Sequence, residues 1–302
     1  MKYILLPKPD TIHQLPFYFA VEEYVARHYT DDDYFIGWRV RPTVMLGRNQ
    51  LIDNEVNTDY CKEHKIDIFR RKSGGGCIYA DTGCIQFSYI SRAVNANEAF
   101  AQYMQRMADL LQGLKIDAKL SGRNDILIDN TKVSGCAFYQ LTNRSVLHNS
   151  LLFDTQLDHL SNALTPAKEK LQSKGVKSVR QRVTNVADYT QQDILTFMDY
   201  VRQEMCGTEV LELTEDDMKG VSEIEKELVS DEFVYGKNPK YSLVRKHRFE
   251  GVGTLEAHIE LKNNVIVSIN LVGDYFLLGD IDHDFLSLLK GCTFTREGTE
   301  KS

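Results

Sequence analysis

The reading of this sequence turns on Arg70-Arg71-Lys72-Ser73-Gly74-Gly75-Gly76-Cys77-Ile78-Tyr79. Residues 66–70 read as a strand, and 77–79 and 84–91 read as two more, so the triple glycine lies in a connection between strands. Glycines lose the most backbone entropy on folding, so three in a row suit a place that needs positive φ or a close backbone approach. Successive N–H groups in such a turn can cradle an anion. Three cations stand directly before the glycines and could neutralise phosphates. No Gly-Lys-Ser/Thr follows, so this is not a Walker A loop. The plain alternative is a tight turn with solvated arginines.

Upstream, residues 2–6 read as a strand and 16–28 as a helix opened by Pro16, a residue suited to a first helical position. Residues 34–40 and 43–47 read as a strand pair around Arg41-Pro42. Downstream, a helix fits 95–113. Residues 125–128 and 132–138 alternate around Asp129-Asn130, a turn signal between two strands. A strand fits 145–153. Residues 165–187 are basic and polar and read as a loop. Helices follow near 190–205 and 215–229, with Thr190 and Thr214 as N-caps carrying an Asp three positions on. Residues 231–240 read as a linker, followed by strands near 252–261 and 265–272 and a short helix near 282–290. Strands and helices do not alternate regularly, which disfavours a doubly wound parallel sheet. The expected architecture is α+β with mixed or antiparallel sheets: a large domain over 1–235 and a small α+β domain over 236–302.

The 302 residues carry a net charge of −7, which argues against a nucleic-acid partner. Cys61, Cys77, Cys84, Cys136, Cys206 and Cys292 form no C-x-x-C pair and read as free thiols of a reducing compartment. The N-terminus lacks the apolar length of a signal peptide. No apolar run reaches the roughly 18 residues that a membrane helix needs. The expectation is a cytoplasmic protein with no membrane partner.

Two further segments carry chemistry. Gly122-Arg123-Asn124-Asp125-Ile126-Leu127-Ile128, followed by Lys132-Val133-Ser134-Gly135-Cys136-Ala137, puts an Asn-Asp pair and a lysine on adjacent strands. A carboxylate can hold Mg²⁺ at a nucleotide phosphate. A lysine is a compact point charge for a carboxylate or phosphate. An ordinary hairpin with an exposed lysine is the alternative. The run from Lys168 to Asn185 is strongly basic and reads either as a solvated loop or as a lid over a polyanion.

Together these segments resemble the lipoate–protein ligase family. Arg70–Tyr79, continuing into Asp81-Thr82-Gly83, is similar to the family's RRxSGGGxVYxDxG stretch. Gly122–Ile128 with Lys132–Ala137 resembles its GRNDI…KxSGxA pair, and Ser173–Asn185 its adenylate-binding loop. Gly47-Arg48-Asn49-Gln50 resembles a further family motif. The resemblance runs in order through most of residues 1–190, and the tail resembles a shorter version of the family's accessory domain.

The resemblance implies a catalytic domain on the biotin/lipoate ligase scaffold. It implies ATP-dependent activation of lipoate to lipoyl-AMP, with release of pyrophosphate. Transfer to a lysine of an acceptor follows, either a 2-oxoacid dehydrogenase E2 subunit or a glycine cleavage H protein. Lys132 would be catalytic. ATP and the adenylate would be held by Arg48, Arg71, Ser73, Gly74, Gly75, Gly76, Cys77, Ile78, Tyr79, Asn124, Lys132, Ala137, Lys174 and Arg180. Lipoate would meet Lys132, Gly75 and His148, and Asp125 is the candidate for Mg²⁺ or the acceptor lysine. The sequence departs from the family pattern at Cys84, Cys136, Phe138 and Asn149. An octanoyl or lipoyl amidotransferase using a cysteine thioester, a biotin ligase, and a non-catalytic lipoate- or adenylate-binding module are the competing readings.

Overall fold

The computed structural model describes residues 1–92, 95–122, 124–141, 143–164, 182–235, 243–262, 265–275 and 280–295; of Asp53 and Asn54 it describes the backbone. An eight-stranded mixed sheet organises the larger part. In chain order its strands are β1 (Lys2–Leu5), β2 (Tyr34–Trp38), β6 (Cys84–Ser91), β7 (Ala118–Ser121), β8 (Asp125–Ile128), β9 (Thr131–Leu141), β10 (Arg144–Leu152) and β11 (Val210–Glu212). Across the sheet they run β11-β1-β2-β6-β10-β9-β8-β7. Pairing is parallel on either side of β1 and antiparallel from β2 onward.

Side chains of a strand alternate between its two faces, so one strand can feed two cores. Tyr34, Ile36 and Trp38 enter the core under helix α1 (Leu15–His28), while Phe35 between them enters the core under helix α4 (Ala96–Gly113). Helix α1 buries Leu15, Tyr18, Phe19, Val21 and Val25, and with them Glu22 and Glu23. Helix α4 starts where the Asn95 side chain accepts from the Glu98 amide, and it buries Phe100, Tyr103, Met104, Met107 and Leu111. Helices therefore cover both faces of the sheet.

One expected strand pair does not form. β3 (Thr43–Leu46) leaves the large sheet at Arg41-Pro42 and joins a second sheet of order β4-β3-β5, with β4 (Asp67–Arg70) and β5 (Ile78–Ala80) as its neighbours. The pattern of apolar residues reports a strand but not its partner. Proline cannot donate to a ladder, so Pro42 ends one strand and lets the next begin elsewhere. All four residues of β3 are buried. The glycine segment joins β4 to β5 and so hangs from this small sheet.

The turn at Asp129-Asn130 is as expected, with both residues at positive φ, 49° and 60°, the geometry of the tightest hairpins. Helix α6 (Ile194–Cys206) begins later than expected. Its cap is Asp193, whose carboxylate accepts from the Leu195 and Thr196 amides, and Thr190 lies outside it. Helix α7 (Glu215–Leu228) begins at Thr214 with a reciprocal capping box to Asp217. Short helices α2 (Ile52–Glu55), α3 (Thr58–Glu63), α5 (Leu157–Ala163) and α8 (Asp231–Tyr235) complete the larger part.

The tail forms a three-stranded antiparallel sheet of β12 (Leu243–Phe249), β13 (Gly253–Lys262) and β14 (Val265–Gly273). It has a small core of its own around Ile259, Ile266, Leu286 and Leu289. The sequence reading misses β12, whose four polar residues Arg245 to Arg248 hide the strand period. The tail touches the larger part at the glycine segment, where the Gly75 amide donates to the Tyr275 carbonyl (3.1 Å) and the Gly273 amide to the Asn49 carbonyl (2.9 Å). Among the described residues, no helix is long and apolar enough to cross a membrane.

Candidate active site

A cavity of about 270 Å³ opens between the two sheets. Its walls come from the glycine segment (Gly75 to Tyr79), from β8 and β9 (Asn124, Asp125 and Lys132 to Ala137), from β10 (His148, Ser150) and from the tail (Val252, Gly253, Asp274). Met45, Leu152, Leu160, Leu164 and Val183 give it an apolar portion.

The glycine segment is held by the cations expected to serve a ligand. Arg71 is 3% exposed and donates to Ser73 Oγ (2.9 Å) and to the carbonyls of Met45, Gly74 and Gly76 (3.2, 2.7 and 2.8 Å). Arg70 is buried and donates to the carbonyls of Val234, Gly47, Arg48 and Gln50. Burial pulls both guanidinium groups down to about 10, still above neutrality. Lys72 pairs with Glu23 at 2.7 Å and Glu227 at 3.3 Å. All three cations are thus engaged by the protein's own groups, and of the three only Arg71 also lines the cavity. A buried guanidinium must find acceptors, and the nearest are the carbonyls that a tight glycine turn directs inward. Gly75 takes φ +88°, and a Cβ at Gly47 would meet its carbonyl oxygen at 2.1 Å, so the fold requires glycine at both places.

The opposite wall keeps its cations in the cavity. Lys132 Nζ lies 2.7 Å from Asp125 Oδ1, and Arg182 reaches Asp125 Oδ2 at 3.1 Å. Arg182 arrives because the chain pairs beside β9: the Thr184 amide donates to the Lys132 carbonyl (3.1 Å) and Lys132 bridges Val183 in parallel. A Cβ at Gly135 would stand 2.6 Å from Lys132 Nζ, so glycine there leaves room for the ammonium. Asp125 thus orients two cations, one on each oxygen.

Asp125 is also the residue expected to meet Mg²⁺ or the acceptor lysine. Both carboxylate oxygens already have cationic partners, and among the described residues no group of three His, Cys, Asp or Glu could hold a metal. A Mg²⁺ carried on nucleotide phosphates needs no such group, since it keeps waters and takes one or two carboxylates.

His148 lies between the cavity and a buried carboxylate. Its Nε2 is 2.6 Å from Ser73 Oγ and its Nδ1 3.3 Å from Glu22 Oε2. Glu22 is wholly buried and also accepts from Ser88 Oγ, which accepts in turn from Trp38 Nε1. The chain of contacts ties helix α1, β10 and the first residue of the glycine segment together. Asn149, one of the departures from the family pattern, accepts from Tyr103 Oη and donates to Ser134 Oγ.

None of the six cysteines is in a disulfide. Burial pushes the Cys84 and Cys136 thiols far above their ordinary range, so neither is a ready thiolate. Cys77 and Cys136 line the cavity; Cys84 does not.

The structure therefore brings Arg71, Gly75, Gly76, Cys77, Ile78, Tyr79, Asn124, Asp125, Lys132, Ala137 and His148 to one cavity. Ser73 and Gly74 stand behind its wall, as partners of His148 and Arg71. Arg48 is not brought to the cavity: its guanidinium reaches Asp282 at 3.3 Å and Asp280 at 3.9 Å in the tail. Lys174 and Arg180, most of the basic run, and the linker Gly236 to Pro239 lie outside the described residues. Glu22 and Arg182 were absent from the expected set. The signal for Glu22 is a carboxylate on the apolar face of a helix; Arg182 sits at the end of the basic run.

Known proteins carry the same elements. A family model of the lipoyl protein ligase A/B catalytic domain matches residues 15–206, and one of the bacterial lipoate protein ligase C-terminus matches residues 238–302. Lipoate–protein ligase 1 of Staphylococcus aureus is 35% identical over 291 residues, covering 94% of this chain and 88% of its own. Among solved structures, P. falciparum LipL1 in complex with lipoate aligns with a TM-score of 0.81 at 20% identity, covering 100% of this chain and 93% of that one. A bipartite lipoate protein ligase and its E2 lipoyl domain from Thermoplasma acidophilum aligns at 0.67 and 25% identity, covering 80% and 98%. A lipoate–protein ligase A bound with ATP aligns at 0.67 and 23%, covering 78% and 99%.

Proposed function

This chain belongs to the lipoate–protein ligase family, and from that premise we propose how its own residues carry the reaction. The lipoate carboxylate attacks the α-phosphorus of ATP, forming lipoyl-AMP and releasing pyrophosphate. The amine of an acceptor lysine then attacks the acyl carbon, forming the amide and releasing AMP. The first step brings two anions together, so it needs fixed positive charge where they meet. The observation that carries the assignment is Lys132 and Arg182 held on the two oxygens of Asp125 in the cavity wall. Lys132 is the residue on which we place the charge stabilisation, and Asp125 positions it. Asn124 and the turn from Gly75 to Tyr79 supply the polar rim for the nucleotide. The apolar portion at Met45, Leu152, Leu160 and Leu164 suits the alkyl chain and dithiolane, with His148 at its border.

The cysteine-thioester alternative is not favoured. It needs an accessible thiolate; burial disables Cys84 and Cys136, Cys77 is left as the one cavity thiol to test, and the similar curated proteins are ligases. Lipoyl-acceptor domains are the partner class of the family. We assign E2 lipoyl domains and the glycine cleavage H protein as the candidates within it, divide the chain into 1–235 and 236–302, and place the protein in the cytoplasm. The test is pyrophosphate release from Mg²⁺-ATP with lipoate, octanoate or biotin in turn. Lipoate-dependent release supports the reading. Transfer from an acyl-carrier thioester without ATP would replace it with the amidotransferase.

A further inference from the structure

One surface of the tail stands out against the rest of an acidic chain. The net charge is −7, yet β12 carries Arg245-Lys246-His247-Arg248 with no acid among its seven residues. Residues Val244 to Phe249 are exposed, including the apolar Val244 at 45% and Phe249 at 47%. Among the described residues, β12 is the edge of its sheet and pairs with β13 alone. The Val252 amide donates to the Phe249 carbonyl across the turn that joins the two strands, and Gly251 in it takes φ +75°. Val252, itself 44% exposed, and Gly253 line the cavity that holds Lys132. Lys246 pairs with Glu256 across on β13 (3.0 Å), so the hairpin runs from the cavity out onto an edge strand whose outward charge is carried by Arg245 and Arg248.

We propose that the β12–β13 hairpin is the docking surface for the acceptor domain, and that it recognises negative charge on that domain near its acceptor lysine. This rests on the ligase reading. A macromolecule seated on β12 would lie next to the cavity, where a lysine must enter to reach an acyl adenylate. Opposite charge steers encounter and sets partner choice. Phe249 and Val252 supply apolar area beside the charges. Cations on an edge strand can also serve only to prevent edge-to-edge pairing with another copy of the chain. That role leaves catalysis untouched, and the test separates the two.

The double variant Arg245→Glu/Arg248→Glu is compared with the parent in two assays and one binding measurement. The first assay is lipoyl-AMP formation from lipoate and ATP, and the second is transfer to a purified apo lipoyl domain of an E2 subunit. The expected result is lipoyl-AMP formation within about twofold of the parent and a KM for the lipoyl domain raised at least about tenfold. Direct binding of the lipoyl domain to the parent should weaken with salt, and binding to the variant should be weaker and less salt-dependent. An unchanged KM, or aggregation of the variant with an unchanged KM in its monomeric fraction, overturns the proposal in favour of edge protection. Failure of the parent itself to form lipoyl-AMP sinks the ligase reading instead, and the binding measurement still decides the docking surface.

Discussion

Arg70, Arg71 and Lys72 stand side by side in the sequence, whereas Asp125 and Arg182 stand 57 residues apart. The adjacent cations bond the protein's own carbonyls and Glu23, with Arg71 at the cavity edge, while Arg182 and Asp125 meet in the cavity wall. A tight glycine turn gathers inward-facing carbonyls, and an arginine beside it satisfies them before it can satisfy a ligand. A hairpin wall with a glycine at Gly135 does the reverse, since it clears space around Lys132. Charge density along a sequence thus says little about where the charge is spent, and the two regions should respond differently to mutation.

The largest effect is expected at Lys132. Lys132→Ala should lower lipoyl-AMP formation by roughly 10²–10³, the usual loss for one preorganised electrostatic contact, with an unchanged denaturation midpoint. Near-parental activity would remove Lys132 from the chemistry. The glycine segment should answer in stability instead. Arg71→Ala leaves Ser73 and the carbonyls of Met45, Gly74 and Gly76 without their donor, at a cost of about 3 kcal/mol. A lowered urea midpoint is the readout; a stable variant defective only in ATP affinity would make Arg71 a ligand contact and break the contrast.

Asp125→Asn sharpens the comparison within the wall. With one oriented charge loosened, adenylation should fall about tenfold, roughly 1.4 kcal/mol. The Mg²⁺ concentration for half-maximal rate should not move, because Asp125 serves cationic side chains. A large shift in that concentration would assign Asp125 the metal role. Changing Cys77, Cys84 and Cys136 together to Ala should leave lipoyl-AMP formation within about tenfold, allowing for small packing losses. An acyl thioester trapped on any of them would reverse the ranking of the two enzyme readings.

The smallest effect is remote from both regions. Thr214→Ala removes the cap of helix α7 and should cost about 1 kcal/mol at neutral pH. Burial raises the Asp217 pKa, but hydrogen bonds from Thr214, Tyr24 and Tyr29 outweigh it and hold the carboxyl below its ordinary value. The stabilisation is therefore present above the ordinary carboxylate range and is lost as pH falls through the lowered folded value. The midpoint difference between parent and variant should shrink in acid; a constant difference would mean that the Asp217 network does not contribute.

Much of the fold was legible because it rests on local rules. Apolar periodicity placed α1 and α4, six of the eight strands of the large sheet and most of the tail, and Asp129-Asn130 marked the β8–β9 turn; the short edge strands β7 and β11 were missed. Partnership was not legible. β2 and β3 adjoin in sequence yet enter different sheets, Thr190 loses its helix to Asp193, and β12 hides behind four polar residues. These outcomes depend on which distant surface each segment meets.

The site divides along the same line. The sequence by itself determined the family, the triple glycine and the Lys132 hairpin, because each is written in contiguous residues whose types the chemistry requires. Only the tertiary structure decided that Arg71 braces the turn, that Arg182 completes the Asp125 pair, that Glu22 stands behind His148, and that Arg48 faces the tail. The physical reason is burial. A charged group taken from water must be satisfied by whatever the fold places beside it, and that neighbour is a property of the assembled chain.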